Sequence, residues 1–176
     1  MTKIPCTVCV LTLNSEATVA RALESVTDFS EMLVCDGGST DGTVEIARRL
    51  GARVISQDPA ALDADGRIKD YAGVRNACSA AASHDWLLHL DADEYTSPEL
   101  RGELGRAVAT GPHAVFWVPR KYVLEGSVIE HSVSYPNRQI RFFHRAATKG
   151  FRKPIHERVE PLPGVAAELL RSPILV

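Results

Sequence analysis

The sequence predicts an α/β layered fold built on a mostly parallel central sheet. Three observations point to it. Between residues 6 and 90, short apolar runs alternate with stretches whose apolar side chains recur at helical spacing, and the connections between them are short. Polar and acidic clusters stand directly after the apolar runs, where ligands sit in such sheets, beyond the carboxyl ends of the strands. A chain of 176 residues, 45% apolar and 24% charged, suits a single folded domain and is far from the composition of a disordered one.

The elements follow in order. Cys6 to Leu13, rich in Val and Thr, is too continuously apolar for a half-exposed strand and reads as a central parallel one. Asn14 or Ser15 then caps a helix with Val19, Ala22, Leu23 and Val26 on one face. The unit repeats as a strand from Met32 to Cys35, a Gly-rich turn, and a helix with Thr43, Ile46, Ala47 and Leu50 on one face, closed by Gly51. Arg53 to Ser56 is a third strand. A polar segment with Asp58, Asp63, Asp65 and Gly66 precedes a helix from Asp70 to Ala82 carrying Val74, Ala77, Cys78 and Ala81. Trp86 to Leu90 is the next strand and delivers Asp91. From Ala114 the pattern changes, and Val115 to Val118 and Ile140 to Phe143 read as strands with no helix between them. No repeat or flexible linker divides the chain, so residues 1–176 are expected to form one domain.

The charge balance is 20 basic against 22 acidic residues, which leaves no strong positive field and excludes general nucleic-acid binding. No stretch approaches the roughly 20 apolar residues of a membrane-spanning helix, and Met1 to Cys6 has no signal-peptide apolar run. The expected compartment is the cytoplasm. Cys6-x-x-Cys9 has half the spacing of a zinc site, but strand residues three apart point to opposite faces and no second pair follows. Cys6, Cys9, Cys35 and Cys78 are expected to be buried, reduced thiols.

Three motifs carry chemistry. The run Asp36-Gly37-Gly38-Ser39-Thr40-Asp41-Gly42-Thr43 leaves a strand and opens a helix, with glycines that let backbone approach a ligand. Asp36 is placed to accept from a base N–H or a sugar hydroxyl, while Asp41 reads as a helix cap; the plainer alternative is a turn and a cap alone. Asp91-Ala92-Asp93-Glu94 puts three carboxylates at one strand end, a hard-oxygen site suited to Mg²⁺ or Mn²⁺ held with a diphosphate. Its plainer alternative is a solvated acidic loop. Arg75-Asn76 lies on the helix before that strand, with Arg67 and Lys69 upstream, and the planar fork of Arg75 matches phosphate oxygens.

Together, Thr12-x-Asn14 with Glu16, the run Val34 to Thr43, Arg75-Asn76, and Leu90 to Glu94 resemble the family 2 glycosyltransferases in order and spacing. The likeness is greatest to the bacterial branch that builds lipopolysaccharide core and related surface glycans, where Arg138 to Phe143 and His156-Glu157 also have counterparts. The resemblance implies a GT-A fold, a three-layer α/β/α sandwich with a Rossmann-like nucleotide-sugar-binding half over about residues 1–95 and an acceptor-side half over about 96–176. It implies inverting transfer of a sugar from a nucleoside-diphosphate donor to a hydroxyl of a glycan or lipid-linked acceptor, with Mg²⁺ or Mn²⁺ as cofactor. Thr12, Asn14 and Glu16 would line the nucleoside pocket, Asp36 would contact the base, and Arg75 would meet the diphosphate. Asp91 would touch ribose or metal, and Gly38 and Ala92 complete the donor-binding set. Asp93 would be the metal ligand, joined by Asp91 and His156, while Arg138 and Arg141 lie on the acceptor side. Glu157 would be the general base, with Glu94 or Asp93 as alternatives.

Two departures accompany the resemblance. A glycine- and tryptophan-containing stretch of that branch is replaced by His131-Ser132-Val133-Ser134-Tyr135-Pro136-Asn137. The chain also ends in an apolar run at Leu175-Val176 where family members continue, which implies a further segment contacting acceptor or the inner face of the cytoplasmic membrane. Two other readings compete: a binding module that keeps the pocket without chemistry, and a sugar nucleotidyltransferase. The second needs a glycine-rich, basic loop after its first strand, and Leu13 to Thr18 contains neither glycine nor a basic residue.

Overall fold

A computed structural model of the chain describes residues 2–64, 67–109, 111 and 114–176; Asp65 and Gly66 of the polar segment, and Met1, lie outside the described residues. The first half is β1 (Ile4–Thr12), α1 (Val19–Glu24), β2 (Phe29–Asp36), α2 (Thr43–Arg49), β3 (Arg53–Ser56), α3 (Tyr71–Ala81) and β4 (Trp86–Asp91). It continues through β5 (Tyr95–Thr96), α4 (Pro98–Ala109), β6 (Val115–Lys121) and the small hairpin β7 (Val123–Leu124) and β8 (Ser127–Val128). The last part holds β9 (Arg138–His144), β10 (Thr148–Arg152), β11 (Arg158–Pro161), β12 (Ala167–Leu169) and β13 (Ile174–Leu175).

The main sheet runs β3-β2-β1-β4-β9-β6-β13-β5, with β12 also against β6. Strands β3, β2, β1 and β4 are mutually parallel, and β9 enters antiparallel to both β4 and β6. The chain passes from β1 to β2 on one side, then crosses to place β4 on the other, so the order reverses between β1 and β4. Such a switch point opens a crevice at the strands' carboxyl ends. Register lines up the residues there, with Thr12 opposite Asp36 and Leu11 opposite Asp91.

Two cores cover the sheet's two faces, which completes the predicted α/β/α sandwich. One packs Val19 and Leu23 of α1, Ala47 of α2 and Leu100 and Leu104 of α4 against Cys6, Val8, Val10, Leu88 and Phe142. The other packs Val74 and Cys78 of α3, with Phe151 and Val159, against Cys9, Leu11, Leu33 and Phe143. Cys6 and Cys9 therefore face opposite layers, as strand geometry requires, and all four cysteines are buried and free.

Helix α4 is an addition to the sequence reading, which assigned nothing between Tyr95 and Gly111. Its apolar stripe, Leu100, Leu104 and Ala107, follows helical spacing and is buried. The apolar run at the end of the chain forms β13, which lies parallel to β6 and antiparallel to β5, with Ile174 fully buried. Among the described residues no helix is long and apolar enough to cross a membrane.

Candidate active site

The loops after β1 and β2 are stitched to each other. Asp36, at the end of β2, accepts from the Thr12 and Ser39 hydroxyls at 2.8 and 2.6 Å and from the Gly38 and Ser39 N–H groups at 2.9 and 2.8 Å. Burial works to raise this carboxyl, but the hydrogen bonds from Ser39, Thr12 and Gly38 outweigh it and hold the group below the ordinary range. Asn14, in the left-handed region at φ 48°, accepts from Thr40 N–H at 2.8 Å through Oδ1. Glu16 accepts from Gly42 N–H at 2.6 Å, and Asp41 accepts from Glu16 N–H at 3.1 Å. Gln57, which the sequence reading passed over, lies buried beneath and donates to the Cys35 carbonyl at 3.1 Å.

A second group assembles around Asp91 at the end of β4. Arg75 of α3 donates from Nη2 to Asp91 Oδ1 at 2.6 Å and from Nε to Glu157 Oε1 at 2.8 Å. Arg141 of β9 reaches Asp91 Oδ2 at 3.0 Å, and Arg120 of β6 pairs with Glu94 Oε1 at 2.5 Å. Glu94 also accepts the Asp91 N–H at 2.8 Å. Burial would raise the Asp91 carboxyl, but the charges of Arg141 and Arg75 hold it far below the usual carboxylate range. Burial lifts Glu94 in the opposite direction, against the charges of Arg141 and Arg120.

Arg75, Asp91, Arg120, Arg138, Arg141, His156 and Glu157 all line one cavity of about 900 Å³. Thr12, Asn14, Glu16, Asp36 and Gly38 line none of it; they form the stitched loops at the other side of the switch point. Arg67 and Lys69 are exposed and away from it. Ala92 is half-buried against the core. Glu94, read from sequence as an alternative base, is fully buried with both oxygens turned to Arg120 and the Asp91 N–H, and is not among the cavity-lining residues. It supports the site from below.

The same geometry bears on the expected metal set. Among the described residues no three of His, Cys, Asp and Glu gather to hold a cation, so Asp91, Asp93 and His156 do not form one ligand set. His156 rides exposed on the β10–β11 connection and Asp91 is engaged by arginines. Asp93 is different: its carboxylate is exposed and pairs with no side chain among the described residues. One free carboxylate next to a phosphate-bearing ligand is a donor set Mg²⁺ accepts, since it retains water and phosphate oxygens as its other ligands.

Comparison with known proteins decides the family. The family model described as glycosyl transferase family 2 matches residues 7–166. The chain belongs to glycosyltransferase family 2. Within it, the chain is 38% identical over 96 residues to an uncharacterized glycosyltransferase of Rickettsia typhi, a match covering 54% of this chain and 30% of that protein. The chain thus spans less than a third of the length of that curated relative. It is 26% identical over 168 residues to the lipopolysaccharide core biosynthesis glycosyltransferase LpsC of Rhizobium meliloti, covering 90% of this chain and 58% of LpsC. Among solved structures, Staphylococcus aureus TarS 1-349 in complex with UDP superposes with TM-score 0.64 at 17% identity over 97% of this chain and 60% of that one. The glucosyl-3-phosphoglycerate synthase of Mycobacterium tuberculosis, with Mn²⁺, UDP and glucosyl-3-phosphoglycerate, gives TM-score 0.51 at 27% identity over 67% of this chain and 44% of that one. These likenesses establish the GT-A fold for this family 2 glycosyltransferase.

Arg120, Arg158 and Trp117 are among the cavity residues not expected from sequence. Arg120 follows a proline at a strand's polar end, Arg158 begins β11, and Trp117 is an exposed aromatic on β6. Strand-end position was the signal that found Asp91, and the same test applied to β6 would have found Arg120. Nothing in the local sequence marks Arg158.

Proposed function

We propose that the chain is the catalytic core of an inverting glycosyltransferase. It moves a sugar from a nucleoside-diphosphate donor to a hydroxyl of a glycan or lipid-linked acceptor, in bacterial surface-polysaccharide or lipopolysaccharide synthesis at the cytoplasmic face of the membrane. The observation that carries the reading is the placement of Glu157. Its Oε1 is fixed by Arg75, its Oε2 has no hydrogen-bond partner among the described residues, and it lines the cavity that Asp91 also enters. The UDP bound in the TarS structure and the UDP and Mn²⁺ in the mycobacterial synthase support the donor class and the cofactor.

In this reading Glu157 Oε2 takes the proton of the acceptor hydroxyl as that oxygen attacks the anomeric carbon. The nucleoside diphosphate departs on the opposite face, and configuration inverts. Arg75 orients both the base and Asp91, because one guanidinium holds the two carboxylates at once. Mg²⁺ or Mn²⁺, held by Asp93, would supply charge neutralisation to the leaving diphosphate. The stitched loops carrying Thr12, Asn14, Glu16, Asp36 and Gly38 form the nucleoside side.

The test is thermal stabilisation by a panel of UDP-, GDP-, ADP- and dTDP-sugars with Mn²⁺, followed by release of nucleoside diphosphate with acceptor present. A ligand at about 100 times its dissociation constant stabilises by about 2.7 kcal/mol. One nucleotide should stabilise, and both EDTA and Asp93→Ala should remove the metal-dependent part. If no nucleotide in the panel stabilised the chain, the donor reading would fall; binding without release would favour the module without chemistry.

A further inference from the structure

The cavity holds more positive charge than the catalytic cluster uses. Five arginines line it, at 75, 120, 138, 141 and 158, against two carboxylates, Asp91 and Glu157. Three of the five are matched: Arg75, Arg120 and Arg141 are engaged with Asp91, Glu157 and the buried Glu94 beneath them. Arg138 and Arg158 are left over. Both side chains are exposed, and among the described residues neither makes an ion pair or a side-chain hydrogen bond. They come from different elements, the first residues of β9 and β11, and meet at one cavity. The half-exposed indole of Trp117 lines the same space and offers a flat apolar face.

We propose that this is an acceptor subsite for an anionic sugar, one bearing a phosphate or carboxylate group, with that group held by Arg138 and Arg158 and the ring laid on Trp117. The inference rests on the transferase reading and names the acceptor's class. Two uncommitted guanidinium groups are suited to an anion because each presents a planar fork of donors that matches carboxylate and phosphate oxygens. The anion is assigned to the acceptor because Arg138 and Arg158 come from β9 and β11, away from the stitched nucleoside loops, no residue of which lines this cavity. An aromatic face beside charged groups suits a sugar ring, whose C–H surface packs on it while its polar edge reaches the arginines. The volume, about 900 Å³, lies at the upper end of small-ligand sites and accommodates more than one sugar unit.

The experiment is a calorimetric titration of the full chain with glucose 6-phosphate, glucuronate and glucose, repeated on the double variant Arg138→Gln/Arg158→Gln. At least one anionic sugar should bind tenfold or more tightly than glucose, a difference of about 1.4 kcal/mol. Which of the two anions leads separates a phosphate-bearing from a carboxylate-bearing acceptor. In the double variant the preference should shrink to within twofold, while stabilisation by UDP or GDP and the unfolding midpoint stay as in the parent. Equal binding of all three sugars, binding of none, or a preference that survives the double variant would overturn the proposal. Parallel loss of nucleotide stabilisation would overturn it too, by assigning the two arginines to the donor. Failure of the transferase reading has a different signature, the absence of any nucleotide effect in the parent chain, and leaves the sugar titrations readable.

Discussion

Glu157 differs from the other carboxylates near the cavity in having one oxygen tethered and one free, and this makes it the residue to substitute first. Glu157→Gln keeps the shape and the contact to Arg75 but removes the basic oxygen. Turnover should fall by about 10² to 10⁴ while donor binding is retained; near-normal turnover would move the proton to another group, and loss of donor binding would make the residue structural. Asp36 presents the opposite case, since its four hydrogen bonds are all internal to the loops. Asp36→Ala should lower stability by about 1.5–3 kcal/mol for lost bonds to a charged group, and weaken nucleotide binding through the disordered loop. Denaturant midpoints and nucleotide titrations on one preparation check both. At this scale the sequence was informative where strand ends carry acids, as at Asp36 and Asp91. It was silent on partnership. Which arginine meets which acid depends on β6, β9 and α3 converging, and no spacing in the sequence encodes that for Arg120.

Elements are held to each other by a few side chains that cross between them. Glu31 of β2 accepts from Thr7 of β1 at 2.5 Å, from Arg53 of β3 at 2.7 Å and from the Ser83 N–H before β4 at 2.7 Å. Burial opposes ionisation, but these bonds carry its pKa down to about 2. A carboxyl depressed in the folded state adds stability above its ordinary value, and that stability drains away as pH falls from about 4.5 toward 2. Glu31→Gln should therefore cost about 1.5–3 kcal/mol at pH 7 and show a flatter loss over that window in urea melts at successive pH values. Helix α3 grips the segment bearing Glu157 as well: Asn76 donates to the Phe151 carbonyl at 3.0 Å and accepts its N–H at 2.8 Å. Gly150 permits this, with φ 79° and room for no Cβ, which would stand 2.6 Å from Asn76 Oδ1. Gly150→Ala should cost about 1–3 kcal/mol and reduce turnover more than nucleotide binding, measured by denaturation and titration side by side. The helix itself was legible from its apolar face, Val74, Ala77, Cys78 and Ala81, and the structure adds that Asp70 caps it, accepting from Gly73 N–H at 2.9 Å. The strands β10 to β13 were not, since runs of two to five residues are too short to display a period.

For the molecule as a whole, the parallel half was readable because each strand–helix unit repeats one pattern, while the antiparallel half depends on pairings between residues far apart in sequence. One such pairing has a consequence for how copies of the chain behave together. Strand β6 is bordered in two instalments, by β12 along Val115 to Trp117 and by β13 at Arg120 and Lys121. These two short pieces act as a selvage on cloth: they occupy the backbone donors and acceptors that would otherwise stand open beside Phe116 and Val118, both buried apolar residues. An open, apolar strand edge recruits another strand from a neighbouring molecule. A variant shortened to residue 164 should therefore self-associate as its concentration rises, giving increasing light scattering where the parent stays dispersed. A shortened chain that remained monodisperse would show that β6 is guarded by something other than the strands that follow it. On this view the final dozen residues, none of which carries a catalytic group, govern colloidal behaviour, and conditions that loosen them are the ones under which the protein would begin to gel or precipitate.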